Sequence, residues 1–272
     1  MLIVIIGVAA YVEFRRLAPT LQGTGCRAVA GSGSLALDPE QARIAATIAG
    51  VAHKQSMPMG AVTVAYAAAL QESKMHDLHY GDMDSVGVFQ QRPSEGWGPT
   101  RKLEDPVYAT TKFFRVLATV HGYLKLPVYQ AAQAVQKSAD GTAYIQYEQT
   151  AAGLAADFTG GHAHAVSCWS SAATPKHADL AAANRELART FGVITELGAA
   201  SPGGGRPPQA QAQVQVLQSP VGWEVAAWLV THAASYGIHE VRYGGYQWQA
   251  STGYDGWTRD SGAPPPGVVQ LS

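Results

Sequence analysis

The longest unbroken apolar run in the interior of the chain is Met59–Leu70, and its length and alanine content predict a buried helix that ends at Gln71-Glu72-Ser73. Ahead of it, Ala42, Ile44, Ala45, Ile48, Ala49 and Ala52 recur at helical spacing, which predicts a helix packed on one face. Its start is marked by Asp38 as cap, Pro39 in the first turn and Glu40 at the positive end of the dipole. The pattern changes at His76–Trp97, which is rich in Gly and Asp around the β-prone Val86-Gly87-Val88-Phe89 and predicts a hairpin or irregular loop folded over the helix end. Helical spacing returns after Asp105-Pro106 (107–120), after Leu126-Pro127 (128–136) and after Gly141 (142–158).

Beyond Trp169 the pattern is different. Residues 178–191 predict a helix stopped by Gly192, and Pro202–Pro208 predicts a flexible connection. Residues 210–217 alternate at period two and read as a half-exposed strand, 223–236 as an amphipathic helix, and 238–243 and 246–250 as strands joined by Gly244-Gly245. The expected organisation is a signal or anchor segment (1–14), a linker (15–35), a mainly α unit with a small hairpin (36–170), a helix with a flexible linker (171–209), a small α+β accessory domain (210–262) and a disordered tail (263–272).

Composition narrows the function classes. A hydrophobic content of 47% with 14% charged residues describes a folded globular protein. A net charge of −1 gives no footprint for nucleic acid. Met1–Val12 is apolar and uncharged, closer in length to a signal-peptide core than to a span of about 20 residues. No basic residue precedes it, while Arg15 and Arg16 follow; a start placed too far downstream would account for its shortness and the missing basic residues. Secretion or anchoring to the cell membrane is the expected location. Cys26 and Cys168 flank the first unit and suit a disulfide in an oxidising compartment, two buried free thiols being the plainer alternative.

The candidate chemistry centres on Glu72. The negative end of a helix dipole and apolar surroundings both favour a carboxyl that keeps its proton, as protonation of a glycosidic oxygen requires. A hairpin folded back over the helix end brings Asp82, Asp84, Ser85 and Gln90 towards it, and Gly87 permits close backbone approach. His76, Asp77, His79, Asp82 and Asp84 crowd together but match no metal-ligand spacing, so no metal and no cofactor is expected.

Glu72-Ser73, Gly87-Val88-Phe89-Gln90 and Pro93 together resemble the Glu-Ser … Gly-Leu-Met-Gln … Pro signature of soluble lytic transglycosylases and goose-type lysozymes. Tyr80-Gly81-Asp82 is similar to the aromatic-Gly-Asp step of the goose-type enzymes. The whole run resembles that of exported, lysozyme-like actinobacterial proteins, over roughly residues 36–168. The resemblance implies a lysozyme-like fold and cleavage of the β-1,4 bond between N-acetylmuramic acid and N-acetylglucosamine in peptidoglycan. It implies Glu72 as general acid, Asp82 as second carboxylate and Gln90 as a sugar contact. Ser85 and Gln91 on the hairpin, Trp97 on the Gly96–Gly98 loop and Gln133 or Gln136 complete the expected cleft.

One departure stands out: the Ala-Tyr-Asn motif, whose Tyr supports the acid in transglycosylases, corresponds here to Ala132–Ser138, without Tyr or Asn. The expected partners are peptidoglycan glycan strands, with cell-envelope proteins as further partners of the C-terminal domain. A non-catalytic peptidoglycan-binding scaffold is the alternative from another function class.

Overall fold

A computed structural model describes residues 23–29, 33–138, 140–170, 177–192, 198–199, 212–216, 219–264 and 266–272. The apolar segment 1–14 and much of the linker 171–209 lie outside them. The chain is about 53% helical with two small antiparallel sheets, a mixed α+β fold.

Two helices form the centre. Helix α1 (Pro39–Lys54) starts with a reciprocal capping box, in which Asp38 accepts from the Glu40 and Gln41 amides and the Gln41 side chain accepts from the Asp38 amide. Helix α2 (Met59–Ser73) is buried from Ala61 to Leu70 and ends where Lys74 turns into the left-handed region at φ 56°. Around them lie α3 (Thr100–Leu103), α4 (Pro106–Leu117), α5 (Val128–Gln136), α6 (Glu148–Phe158) and α7 (Leu180–Phe191).

The last helix, α8 (Ser219–Tyr236), lies on α1, and this changes two expectations. Helix α1 is enclosed all round from Ile44 to Ala52 instead of on one face, and α8 itself is buried continuously from Val225 to Val230. One hydrophobic core therefore runs from α2 through α1 into the C-terminal elements.

The first sheet, in the order β2-β1-β3, joins β1 (Gly25–Ala28), β2 (Leu35–Leu37) and β3 (Val166–Trp169). Cys26 and Cys168 face each other across β1 and β3 and are disulfide-bonded, so the ends of the first unit are tied together. The second sheet runs β4-β5-β9-β6-β7-β8 and includes β5 (Ala212–Gln215), β6 (Glu240–Tyr243), β7 (Tyr246–Gln249) and β9 (Val268–Leu271). Its edges are β4 (Gly198–Ala199) and β8 (Thr258–Arg259). The turn between β6 and β7 has Gly244 at φ 58° and Gly245 at φ 82°, the double positive turn that a two-residue hairpin favours.

The stretch 263–272, expected as a disordered tail, contains a strand. Its end forms β9, which pairs with β5 on one side and β6 on the other, and it buries Val269 and Leu271. The proline run masked an alternating Val-Gln-Leu pattern whose apolar positions face the core. The two sheets are also stitched together: Trp248 Nε1 donates to the Cys168 carbonyl at 3.1 Å and Trp257 Nε1 to that of Val166 at 2.7 Å.

Candidate active site

Glu72 stands at the point where α2 leaves the core, the first carboxyl after an enclosed apolar helix. Its neighbour Ser73 is buried, and the Ser73 hydroxyl donates to the Val88 carbonyl at 2.7 Å while accepting from the His76 amide at 3.1 Å. The Glu-Ser pair thus combines two tasks. Glutamate sets a carboxyl at the helix end, and serine pins the segment Val86–Gln91 against it. That segment closes on itself through an antiparallel bridge between Val86 and Gln91.

Gly87 at its turn has φ 76°, and a Cβ there would lie 2.2 Å from the Leu103 carbonyl oxygen. The close approach required of Gly87 is to the chain's own backbone.

Opposite the hairpin lies the 3-10 segment Gly141–Tyr147. The Tyr144 hydroxyl donates to Glu72 Oε1 at 2.6 Å. Burial first, and then this hydrogen bond, push the Tyr144 hydroxyl well above its ordinary range, so it remains a donor. Gln146 Nε2 reaches Gln71 Oε1 at 3.3 Å, and Lys74 Nζ reaches the Tyr147 hydroxyl. The 3-10 segment therefore clasps the last turn of α2 on both sides of Glu72.

Tyr144 is not among the expected site residues, because the sequence pattern places it within a continuous helix over 142–158. The structure splits that stretch into the 3-10 segment and α6, and the change of pitch turns Tyr144 towards Glu72. The signal available in the sequence was Asp140-Gly141, where the Asp140 carboxylate accepts from the Thr142 amide at 2.9 Å and starts a new turn.

The other expected site residues divide. Gln90 folds back, donating to the Tyr80 and Gly87 carbonyls at 3.3 and 3.2 Å, with Gly81 so close that a Cβ there would lie 1.8 Å from Gln90 Oε1. Ser85 is buried under the loop. Gln91 is buried too, with its amide towards the Ala109 carbonyl of α4 at 3.4 Å. Trp97 is half-buried against the core. Gln133 is spent on the end of α5, donating to the Ser138 carbonyl and accepting from its hydroxyl. Gln136, by contrast, bonds the Phe89 carbonyl at 2.7 Å and braces the hairpin from the α5 side.

The two aspartates differ as well. Asp84 accepts from the Ser94 amide and hydroxyl and from Arg92 Nε, at 2.8–2.9 Å. The Ser94 amide first, and then Arg92, hold its carboxyl down at about 2, so it is a fixed anion that braces the loop. Asp82 is exposed, and among the described residues its carboxylate makes no hydrogen bond or ion pair.

Among the described residues no group of three or more His, Cys, Asp or Glu side chains is placed to hold a metal ion. His76 is paired with Asp38 at 2.7 Å and His79 with Glu104 at 3.2 Å.

The geometry gathers one supported carboxyl, a braced hairpin and a buried phenol at the end of a core helix. It holds a carboxyl group in one orientation, with Oε1 engaged by the Tyr144 hydroxyl. No protein-family model and no curated protein matches the chain.

Proposed function

We propose that this chain is a peptidoglycan-cleaving glycosidase with a lysozyme-like helical unit, and that Glu72 is its general acid and then its base. The observation that carries the reading is the Tyr144 hydrogen bond to Glu72 Oε1. It supplies from a 3-10 segment the support that the resemblance expects from a later helix. With Oε1 engaged, the Oε2 proton passes to the glycosidic oxygen as the bond to the N-acetylmuramic acid C1 breaks and positive charge develops on the ring.

A water-activating carboxylate must be held on the opposite face of the sugar. Among the described residues the Asp82 carboxylate has no hydrogen bond or ion pair, only the longer-range charge of Arg92, which supports the single-carboxylate route. In that route the Glu72 carboxylate takes the proton of the sugar's own 6-hydroxyl, whose oxygen closes on C1 to leave a 1,6-anhydro end. The nucleophile is part of the same molecule, an advantage worth several orders of magnitude in effective concentration. The Cys26–Cys168 disulfide is compatible with an extracytoplasmic location. Among the described residues no helix is long and apolar enough to cross a membrane.

Digestion of purified peptidoglycan by the full chain, with mass analysis of the soluble products, tests the proposal. Muropeptides with anhydro ends are expected. Reducing ends would replace this route with hydrolysis, and the absence of products from any glycan would leave the binding scaffold as the better reading.

A further inference from the structure

A cavity of about 280 Å³ opens between α1, α4, α7 and α8, at the small end of the range of about 300–1,000 Å³ usual for ligand pockets. It contains neither Glu72 nor Tyr144. Its charged side chains do not cancel locally. Arg189 is committed, with Nε and Nη2 on the two Glu186 oxygens at 2.9 and 2.7 Å and Nη1 on Asp105.

Arg43, half-buried on α1, makes no hydrogen bond or ion pair among the described residues. One turn back on the same helix face is Glu40, whose Oε1 accepts from the Asp77 amide at 3.0 Å. The Asp77 carboxyl sits beside it, and among the described residues its enclosed Oδ1 has no hydrogen-bond partner. His232, near Arg43, is neutral. Its Nδ1 lies 2.8 Å from the Trp228 carbonyl, which only accepts, so that nitrogen carries the proton. Among the described residues, the cavity is thus lined by an unpaired Arg43, the carboxyls of Glu40 and Asp77, and the apolar Ile44, Pro106 and Val107.

That arrangement selects a ligand class. A phosphate or other polyanion meets Glu40 and Asp77, and a simple cation leaves Arg43 unpaired in a half-buried place, which is costly. A small zwitterion satisfies both charges.

We propose that this cavity is a binding site for a free α-amino acid with a short aliphatic side chain. The carboxylate lies on Arg43, the ammonium between Glu40 and Asp77, and the side chain against Val107 and Pro106. The planar fork of Arg43 matches a carboxylate in a two-point hydrogen bond. Burial, opposed by His79 and reinforced by Glu40, Glu104 and Asp105, pushes the Asp77 carboxyl up to about 6, and an ammonium group seated there offsets the part that the acids contribute.

Valine is the probe, with isovalerate (valine without its amine) and isobutylamine (valine without its carboxylate) as controls. Calorimetric or NMR titration of the full chain should show saturable binding of L- or D-valine with a Kd of about 1 mM or tighter, the range open to so few heavy atoms. Each control should bind at least about 10-fold more weakly, since each loses one charge-assisted contact. Arg43→Gln and Asp77→Asn should each weaken valine about 10-fold, and Arg43→Lys less than Arg43→Gln. Arg43 is half-exposed, so the arginine variants report even if Asp77→Asn fails to fold.

Lack of saturation by about 20 mM valine would overturn the proposal. So would isovalerate or inorganic phosphate binding as well as valine, or unchanged affinity in the Arg43 variants. The readout is binding, so its failure leaves the glycosidase reading untouched.

Discussion

Tyr144 and Glu72, separated by 72 positions in the chain, meet at 2.6 Å with the phenol as donor. The bond fixes which carboxyl oxygen is free. Tyr144→Phe keeps the buried ring and removes only that donor. Because a hydrogen bond to a charged group contributes about 1.5–3 kcal/mol, glycan cleavage should fall by roughly 10- to 100-fold, with the loss in kcat. Unfolding by urea should change by about 1 kcal/mol or less, since one phenol hydroxyl is removed and the ring packing is kept. Steady-state kinetics on soluble glycan fragments, together with urea melts, check both halves. A loss confined to KM would show that Tyr144 binds substrate instead of supporting the acid.

Glu72→Gln keeps the shape and can still accept from Tyr144, but it has no proton to give. Cleavage should drop by about 10²–10⁴-fold, the usual contribution of a positioned general acid. Asp82→Asn should cost little if the anhydro route operates, because no hydrogen bond or ion pair among the described residues positions the Asp82 carboxylate. Product analysis on the two variants separates the routes: a severe Asp82→Asn loss together with reducing ends would establish hydrolysis.

Much of this site was legible in the sequence because its parts are local. The apolar run, the carboxyl at its end and the Gly87 turn lie within about 30 residues and follow from helix length and backbone sterics, whereas Ser73 enters only through the resemblance. Tyr144 was not legible. A seven-residue 3-10 segment differs from the start of an α-helix only by a slight change in period, and the decisive contact is long-range. The inward roles of Gln90, Gln91 and Gln133 were illegible for a related reason: an amide lining a groove and an amide closing a loop have the same composition. The first sheet was hidden because its strands are 3–4 residues long, too short to show alternation.

Gly87 tests the hairpin. Ala at this position keeps φ 76° only at a cost of about 1–2 kcal/mol for the left-handed conformation. The added Cβ would also meet the Leu103 carbonyl oxygen at 2.2 Å, so the hairpin must shift. Gly87→Ala should therefore lower stability by more than that and abolish cleavage. Hydrogen exchange should locate the loosening at residues 76–92 rather than in α1 or α8. Uniform loosening of the whole chain would show that the hairpin and core unfold as one.

Asp157 gives the chain a specific pH dependence. On α6 it is 1% exposed, with Oδ1 paired to His162 Nδ1 at 2.7 Å and Oδ2 without a hydrogen-bond partner among the described residues. Burial, opposed by His162, raises its carboxyl from 3.8 to about 6. An acid whose value is higher in the folded state ionises first in the unfolded chain. As the pH rises from about 4 to about 6, this group therefore subtracts stability, and above about 6 the penalty is constant. A difference of that size corresponds to at most about 3 kcal/mol. Asp157→Asn removes the titration while keeping an acceptor towards His162. The stability of the variant relative to wild type should then rise between pH 4 and 6 and level off above. Urea melts of both proteins at about pH 4.5, 6 and 7.5 read this difference directly, and the other titrating groups cancel in the comparison. A difference independent of pH would show that Asp157 is already ionised across the range.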